Sequence, residues 1–291
     1  MLGEIRGEVR FKEPLSFHTS LRIGGPADIF VVPQDVEDIR HALMFADREQ
    51  LPVAVVGGGN NLLVRDRGVR GVVLKLEGCL GRAEFHGEEA LAGAGVSLSA
   101  LIREAAALNL GGIESLVGIP ATIGGALAMN AGTVDGWIGD FVSAVYYLHP
   151  DGALGEFKPS GAFGYRAFHL PRGAVLIGCR MQLHRRALPD IQKEIRARLK
   201  QKKATQPLAL ASAGFVWKNP AGELASRLIE KAGLRGKRIN GAEISSKHAN
   251  FIVNRGGAGA ADILSLMELT RERVHGHFGI TLETEIRVLG E

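Results

Sequence analysis

Residues 53–64 read VAVVGGGNNLLV, an apolar run followed by three glycines, two asparagines and a second apolar run. Three glycines after a strand leave backbone amides uncovered, so an anion can reach them without meeting a Cβ atom. A Rossmann fingerprint is excluded because its glycines open a helix, and a Walker A loop is excluded because no Gly-Lys-Ser/Thr follows. By itself the segment fits a tight structural turn as well as a phosphate-binding loop.

Three more glycine-rich segments lie in the first 132 residues: HTSLRIGGPAD at 18–28, GAGVS at 93–97 and GIPATIGGALAMNAG at 118–132. The second and third are apolar and carry no charged side chain, which is typical of backbone that wraps a large, partly apolar ligand with a diphosphate. The sequence therefore predicts one bulky nucleotide cofactor held mainly by main-chain donors. The alternative is that all four segments are ordinary turns.

Composition excludes several classes of protein. The chain has 291 residues, 46% hydrophobic and 23% charged, so two or three packed domains are expected and a disordered, collagenous or coiled-coil chain is excluded. Residues 1–10 lack an apolar stretch, and Cys79 and Cys179 lie far apart with no metal-ligand spacing. We therefore expect no secretory signal, no metal site and a cytoplasmic location.

Two segments admit more than one interpretation. The uncharged stretch between Glu114 and Asp135 is long enough for a membrane span, but its proline, asparagine and glycines favour a buried loop-and-helix segment. The net charge of +4 and the basic stretch 193–203 would suit nucleic acid. Apolar residues at every fourth position there favour a helix with a solvated basic face instead. We predict neither a membrane nor a nucleic acid as a partner.

Periodicity predicts a mixed chain of helices and strands. We expect a helix capped by Asp35, a second capped by Ser97, a third that ends at Gly233 and a fourth that ends before Gly279. A basic helix at about 188–203 is the expected domain boundary. Strand-like runs lie at 28–32, 53–56, 72–76, 145–148, 174–183, 250–253 and 285–289.

Four further segments carry a resemblance to a known family: GYRAF at 164–168, SAGFVWKNP at 212–220, RLIEKAGLRGKRINGAEISSKHANFIVN at 227–254 and LETEIRVLGE at 282–291. With the glycine loops, they make nearly the whole chain resemble the UDP-N-acetylenolpyruvoylglucosamine reductase family. The KNP and KHANFIVN segments are specific to these reductases, whereas the glycine loops are shared with a broader class of FAD oxidases. The lack of a tyrosine-bearing insertion resembles the shorter, type II form.

The resemblance implies an α+β fold in two parts. Residues 1–185 would form an FAD-binding region of the vanillyl-alcohol oxidase/PCMH type, with two α/β lobes at about 1–80 and 81–185. Residues 186–291 would form an α+β substrate-binding domain. The extreme C-terminus of that domain would return a catalytic glutamate to the flavin.

The resemblance also implies the reaction. NADPH would reduce FAD and leave, and hydride would then pass from the flavin to UDP-N-acetylglucosamine enolpyruvate, giving UDP-N-acetylmuramate for peptidoglycan and hence for cell-wall growth, shape and division. A monomer is expected. Two alternatives stay open: a catalytically impaired homologue that binds FAD and UDP-sugar, and an FAD-dependent oxidase. The implied cofactor-binding residues are Gly57, Gly58, Gly59, Asn60, Asn61, Gly93, Gly95, Gly118, Ile119, Gly124, Gly125, Asn130, Ala131, Gly132 and Ile177.

The resemblance assigns the catalytic groups residue by residue. Arg166 of GYRAF matches the arginine that stabilises the enolate, and a guanidinium suits this role because it stays charged and presents a planar fork. Glu285 matches the catalytic carboxylate, although Glu283 shares its face of a strand and only the motif separates the two. Tyr165, Lys218 and Asn219 resemble substrate contacts; Asn219 fits a role in its own turn equally well.

The proton donor departs from the family pattern. The family has serine or cysteine after the glycine of SAG, whereas this chain has Phe215, which cannot donate a proton. Ser212, or a water held by Lys218 or Glu285, is the predicted substitute. His248 of KHANF is interpreted as a structural histidine.

Overall fold

The structure is a computed structural model that describes residues 2–76, 78, 80–159 and 161–291. Cys79 lies outside these residues, whereas Cys179 is buried with a free thiol. The α-helices of the described residues are α1 (Val36–Arg48), α2 (Leu98–Ala107), α3 (Ile123–Ala128), α4 (Leu188–Thr205), α5 (Ala225–Lys231) and α6 (Ala260–Phe278). Short 3₁₀ helices lie at Leu2–Glu4, Leu15–His18, Ile113–Leu116 and Ile138–Phe141.

The strands are mostly short, and many have only two residues. The first group is β1 (Glu8–Pro14), β2 (Pro26–Val32), β3 (Val53–Val56), β4 (Leu62–Val64), β5 (Val69–Lys75), β6 (Ala83–His86), β7 (Glu89–Gly93), β8 (Leu110–Gly111), β9 (Gly132–Thr133) and β10 (Gly136–Trp137). The second group is β11 (Val142–Leu148), β12 (Leu154–Phe157), β13 (Phe163–Gly164), β14 (Ala167–Phe168), β15 (Val175–Gln182), β16 (His184–Arg185), β17 (Ala211–Ser212), β18 (Arg238–Ile239), β19 (Ala242–Ile244), β20 (Ile252–Asn254) and β21 (Arg287–Leu289).

Within the described residues, four sheets consist of two strands each, and three larger ones have four or five strands. One has the order β1-β2-β5-β3 with β3 and β5 parallel, the second is antiparallel with the order β12-β11-β15-β7-β6, and the third has the order β17-β20-β19-β18. The mixed helix and strand content confirms the sequence pattern. The run predicted at 53–56 is β3, and the other six predicted runs overlap β2, β5, β11, β15, β20 and β21.

Helix ends follow the predicted capping chemistry in part. The Asp35 side chain accepts hydrogen bonds from the Glu37 and Asp38 amides at the start of α1, which confirms its cap. Ser97 precedes α2, but its hydroxyl pairs with Ser99 at 2.9 Å and does not bond the helix amides. At the far end of α6, Gly279 adopts φ 68°, the left-handed conformation that ends helices and favours glycine.

The chain folds into two compact units, neither of them contiguous in sequence. Unit 1 comprises 1–11, 29–58 and 71–202, and its apolar cores pack α1 against β5 and α2 against β7 and β15. Unit 2 comprises 12–28, 59–70 and 203–291, and one core joins α5, α6, Leu21, Leu63 and Trp217. The domain bounds at 185 and 186 stay a prediction; helix α4 packs with unit 1 up to residue 202.

The uncharged stretch between Glu114 and Asp135 folds as the buried segment that the sequence predicts. It contains the end of the 3₁₀ turn Ile113–Leu116, a loop and the six-residue helix α3. Across the described residues, no helix combines the length and the hydropathy needed to cross a membrane.

Candidate active site

In unit 1 the predicted cofactor loops lie side by side. The Ile123 and Gly124 amides donate to the carbonyls of Val96 and Ala94, both at 2.8 Å. The Ala94 amide in turn donates to Ile177 at 2.9 Å. The loop at 93–97, the loop at 118–125 and strand β15 are therefore joined by backbone hydrogen bonds. This arrangement brings Gly93, Gly95, Gly124, Gly125 and Ile177 together.

The first glycine of the GGG run packs against the same loops. A Cβ atom on Gly57 would lie 2.4 Å from the Thr122 hydroxyl oxygen, and one on Gly124 would lie 2.9 Å from the Ala94 Cβ. Thr122 also caps α3 by accepting from the Gly125 amide at 3.3 Å. Only glycine permits this approach, so the two loops form a close-packed surface of main chain without charged side chains.

A buried hydroxyl precedes the 118–125 loop. Ser115 is 6% exposed, and its Oγ has no hydrogen-bond partner within the part of the chain that the structure describes. A buried hydroxyl normally finds a partner, so this side chain leaves hydrogen-bonding capacity for a bound group. After it, Gly118 turns with φ 73°, a left-handed conformation that favours glycine, and Ile119 packs against the core.

Arg166 lies with the other predicted residues of unit 1. Its Nη1 donates to the Gly132 carbonyl at 3.2 Å, and its guanidinium carbon lies 5.0 Å from the Trp137 ring centroid and 5.9 Å from that of Tyr165. Asn130 joins the loops by donating to Gly164 at 2.9 Å. Aromatic faces attract guanidinium and orient its planar fork. Arg166, Tyr165, Asn130, Ala131 and Gly132 are thus assembled in one place.

A cleft of about 650 Å³ opens beside these residues within unit 1. Tyr165 is 47% exposed along it and meets Trp137 edge to face, with ring centroids 5.6 Å apart. The lining residues are Asn130, Trp137, Gly139, Asp140, Val142, Ser143, Lys158, Pro159, Gly161, Phe163, Gly164 and Tyr165.

Unit 2 brings together the remaining predicted residues. The Asn61 side chain donates to the Glu285 carbonyl at 3.1 Å, and the Glu285 amide donates to Val216 at 2.8 Å. Ser20 joins Gly59 to Ser212. Its hydroxyl donates to the Ser212 carbonyl at 2.7 Å, and its amide donates to the Gly59 carbonyl at 3.1 Å. Glu285 is half-buried, and its backbone is held by the Asn61 side chain on one side and by the Val216 carbonyl on the other.

Lys218 and Asn219 have partners within unit 2. The Lys218 ammonium pairs with Glu283 at 3.3 Å, and the Lys218 amide donates to the Glu283 carbonyl at 2.9 Å. The Asn219 side chain accepts from the Ala225 amide at 3.0 Å and so supports the start of α5. This contact agrees with the local role that the sequence left open for Asn219.

Phe215 sits in an aromatic cluster that the sequence did not predict. Its ring stacks on His248 with centroids 4.9 Å apart and an interplanar angle of 18°, and Phe251 meets both rings edge to face. Burial, aided by the charge of Arg235, lowers the pKa of His248 from its usual value. The Asn250 amide donates to His248 Nδ1 at 3.3 Å, so the neutral ring carries its proton on Nε2.

The sequence did not predict a role for three residues of unit 1, namely Ser115, Trp137 and Lys202. Neither Ser115 nor Trp137 belongs to a motif that the sequence analysis used. Lys202 belongs to a basic helix whose periodicity indicated only a solvated face. Within the described residues, no group of three or more His, Cys, Asp or Glu side chains is placed to hold a metal ion.

Comparison with known proteins gives two family matches. Residues 27–157 match the family described as an FAD binding domain, and residues 206–289 match the C-terminal domain of UDP-N-acetylenolpyruvoylglucosamine reductase. The reductase of Geobacter metallireducens is 42% identical over 289 residues, covering 99% of this chain and 96% of the relative.

Solved structures agree with these matches. UDP-N-acetylenolpyruvylglucosamine reductase from Thermus caldophilus superposes with a TM-score of 0.84 at 36% identity, covering 98% of this chain and all of that one. 6-Hydroxy-D-nicotine oxidase from Arthrobacter nicotinovorans has a TM-score of 0.50 at 18% identity over 96% of this chain and 62% of its own, a likeness of fold alone. The predicted two-part α+β fold and the predicted family are both confirmed. The chain belongs to the UDP-N-acetylenolpyruvoylglucosamine reductase family.

Proposed function

We propose that this protein uses NADPH and FAD to reduce UDP-N-acetylglucosamine enolpyruvate to UDP-N-acetylmuramate, a step of peptidoglycan precursor synthesis. The observation that carries the proposal is the joined set of charge-free glycine loops in a chain that belongs to this reductase family. The proposed substrates are a UDP-sugar and NADPH, both nucleotides with diphosphates. The net charge of +4 suits such anionic ligands.

The residues of unit 1 fit FAD. Glycines that a Cβ atom would block line the joined loops. The Ser115 hydroxyl, three residues before the 118–125 loop in sequence, leaves buried hydrogen-bonding capacity. We assign the main chain of 57–58, 93–95, 118–125 and 130–132, with Ile177, to holding the cofactor. Gly59, Asn60 and Asn61 of the GGG run are proposed cofactor-binding residues as well. FAD held there would supply the hydride-transfer chemistry, from NADPH to the enolpyruvyl double bond, that protein side chains lack.

Arg166 is assigned to the negative charge that develops on the substrate. As the double bond is reduced, charge builds on the carbon next to the carboxylate and on the carboxylate itself. A guanidinium stays charged at any working pH, and the Trp137 ring and the Gly132 carbonyl fix its plane before the substrate arrives. A pre-oriented cation stabilises such an enolate without reorganising in the transition state.

Glu285 and Ser212 are assigned to the proton that completes the reaction. The Glu285 backbone is fixed by Asn61 and Val216, so its half-buried carboxyl group can be positioned to donate a proton or to hold a water that does. The ring of Phe215 is packed on His248 and has no proton to give. Ser212, whose carbonyl is held by Ser20, is the second proposed donor.

Lys218, Asn219 and Tyr165 are proposed substrate contacts. The Lys218 ammonium pairs with an exposed Glu283, an exchangeable partner in water, and so can turn to a phosphate oxygen. The exposed ring of Tyr165 offers a surface for stacking or hydrogen bonding. We also propose that the protein is a cytoplasmic monomer with domains at 1–185 and 186–291.

Phe215 favours one competing function, a homologue that binds FAD and UDP-sugar without turnover. The aromatic packing of Phe215 on His248 removes the position at which the family places a proton donor. Loss of a general acid typically slows a reaction by about a hundred- to ten-thousand-fold. An FAD-dependent oxidase is the other competitor, because the glycine loops alone would serve it equally well.

The visible spectrum under anaerobic conditions separates these functions. The purified protein should show flavin absorption, bleach on addition of NADPH, and recover its colour only when UDP-N-acetylglucosamine enolpyruvate is added. Recovery with oxygen alone, at a rate equal to that with the sugar nucleotide, would indicate the oxidase. A bleached flavin that the sugar nucleotide binds but does not reoxidise would indicate the impaired homologue. A protein that stays colourless when offered FAD would refute the proposal.

Ser212→Ala tests the choice of proton donor. If Ser212 donates, the variant should slow flavin reoxidation and change the solvent-deuterium effect on that half-reaction. Glu285→Gln is the matched comparison, and an unchanged isotope effect in Ser212→Ala would leave Glu285 or a bound water as the donor.

A further inference from the structure

Lys202 lies directly against the 118–125 loop. A Cβ atom on Gly118 would lie 2.9 Å from Lys202 Cδ and 3.6 Å from its Nζ. The side chain therefore crosses the face of Gly118 that a larger residue would cover, and it carries its ammonium group to the loop backbone. Both residues belong to unit 1, and the contact ties the last turn of α4 to this loop.

The acidic side chains near this end of α4 are already used by arginines. Arg198 pairs with Glu194 at 2.8 Å and with Asp135 at 2.6 Å, and Arg186 takes the other oxygen of Glu194 at 2.7 Å. Within the described residues, no carboxylate forms an ion pair with Lys202. The network therefore fixes the helix but leaves the Lys202 charge without a counter-ion.

Lys202 is also surrounded by positive charge. Partial burial, together with the charges of Arg198 and Arg166, lowers its pKa to about 8. Lys75 of the same unit is placed differently, because its ammonium donates to the Gly57 carbonyl at 2.6 Å. A partly desolvated cation without an anion is unfavourable by itself and becomes favourable when an anion binds.

We propose that Lys202 is an anion-binding residue of the cofactor site, where its ammonium binds negative charge on FAD beside the 118–125 loop. The inference rests on the proposed function in that FAD is the occupant. The group that binds Lys202 would be negatively charged, and FAD offers two such groups. One is its diphosphate, and the other is its isoalloxazine ring, which becomes anionic when it gains electrons or adds sulfite. Arg166 and Arg198 are the other charges that face Lys202, and both add to its attraction for an anion.

Lys200 provides a matched control on the same helix. It is exposed, it carries the same charge, and no contact joins it to the glycine loops. Lys200→Gln removes a charge from α4 without touching Gly118. Lys202→Gln removes the charge that the inference uses, and Lys202→Arg keeps a charge there at every accessible pH.

The test measures two affinities in each variant: that of the apoprotein for FAD, and that of the FAD-loaded protein for sulfite, an anion that bleaches oxidised flavin. Lys202→Gln should weaken at least one of them by about tenfold or more, as expected for a lost charge-assisted hydrogen bond. Lys202→Arg should restore it, and Lys200→Gln should match wild type. A weaker FAD affinity with unchanged riboflavin affinity assigns the charge to the diphosphate, whereas a weaker sulfite affinity with a lower flavin reduction potential assigns it to the ring.

The inference is overturned if Lys202→Gln and Lys200→Gln give the same values as wild type in both titrations. If wild-type protein takes up no FAD, the proposed function fails instead, so the two failures are distinguishable. Far-UV circular dichroism verifies folding, and Lys202→Met replaces the glutamine variant if that one does not fold.

Discussion

Arg166 combines an unusual backbone with an oriented side chain. Its φ of 55° is left-handed, a conformation that costs a residue with a Cβ atom about 1–2 kcal/mol. Such strain persists where the surroundings hold it, and here the contacts with Gly132, Trp137 and Tyr165 surround the guanidinium. The loop thus holds a charged group in a fixed orientation at the predicted catalytic position.

Arg166→Ala should therefore leave FAD bound and slow flavin reoxidation by the enolpyruvyl substrate by about a hundredfold or more, with little change in reduction by NADPH. Arg166→Lys should recover only part of the rate, because an ammonium lacks the planar fork and stacks poorly on Trp137. Stopped-flow absorbance of the flavin measures both half-reactions. Arg172→Ala, an exposed arginine nearby, is the control, and equal loss in both half-reactions would remove Arg166 from its role.

Glu285 and Glu283 give a second matched pair. Glu285→Gln should slow reoxidation by about a hundred- to ten-thousand-fold while FAD and NADPH bind normally. Glu283 is exposed and pairs with Lys218, so Glu283→Gln should change KM for the sugar nucleotide more than kcat. Steady-state and single-turnover rates separate these effects. If the two variants behave alike, the assignment by motif is wrong.

The lowered pKa of Lys202 predicts how the stability of the ligand-free protein changes with pH. Its pKa of about 8 lies below the usual 10.5, so between these values the unfolded chain binds more protons at this residue than the folded one. Stability of the apoprotein should therefore rise with pH across that window relative to Lys202→Met, which has no amine. Urea unfolding of both proteins at about pH 7.5 and about pH 9.5 measures the difference. A difference that stays constant or falls with pH would contradict this account.

Sequence was informative about these residues only where a motif covers them. GYRAF and LETEIR indicated Arg166 and Glu285 through family resemblance, and the roles of these two residues stay predictions. The stacking of Phe215 on His248 and the contact of Lys202 with Gly118 join positions far apart in the chain. Local periodicity contains no information about such pairs.

At the scale of secondary structure, α6 is capped by Asp66, which lies in a turn after β4 and is distant in sequence. Both carboxylate oxygens of Asp66 accept hydrogen bonds from the first turn of α6, one from the Ala260 amide at 2.8 Å and the other from the Ala261 amide at 3.1 Å. The carboxylate also lies where the helix dipole favours negative charge. This contact secures a helix that supplies much of the unit 2 core.

Asp66→Ala should consequently destabilise the protein by about 1–2 kcal/mol, and Asp66→Asn, which keeps one acceptor, by less. Urea denaturation followed by circular dichroism measures the change. Glu272→Ala, at an exposed position within α6, should have no more than a small effect. Equal destabilisation by the two alanine variants would show that general helix effects, and not the cap, are responsible.

The sequence predicted some helices and strands more completely than others. Helix α1 has a capping aspartate and a clear apolar face, so the sequence predicted where it begins. Strand β3 is an apolar run that ends at glycines, so the sequence predicted both of its bounds. The two-residue strands β13 and β14 and the six-residue α3 are too short for a periodic signal. Partner contacts, and not local propensity, define them.

On the scale of the whole molecule, a parallel pair of strands joins the middle segment of unit 2 to its C-terminal segment. β21 pairs with β4 in the register Arg287–Leu62, Val288–Leu63 and Leu289–Val64. The Arg65 amide also donates to Leu289 at 2.9 Å. Removal of residues 287–291 should destabilise unit 2 by several kcal/mol, at about 1 kcal/mol for each lost hydrogen bond plus the buried apolar area.

Hydrogen exchange measured by mass spectrometry tests this prediction. Protection of 62–64 should fall in the truncated protein, while β11 of unit 1 provides an internal reference in the same spectrum. Unchanged exchange at 62–64 would show that β21 adds nothing to β4.

The sequence predicted contiguous domains, because composition and motifs are read along the chain. The bounds at 185 and 186 stay a prediction. Each compact unit of the folded protein is assembled from three segments, since strands such as β4 pair with partners more than two hundred residues away. Hydrophobic pattern identifies which residues are buried, but it does not specify which buried residue meets which.

The discontinuous make-up of unit 2 limits how genes of this family can recombine. A single crossover near residue 202 would give a hybrid in which β4 comes from one parent and β21 from the other, so two lineages must share the same ladder for their hybrid to fold. Exchange of β11–β15 in unit 1 meets a similar requirement, because β15 pairs with β7 outside that segment. Grafting a new substrate half onto this scaffold therefore takes three coordinated replacements and not one.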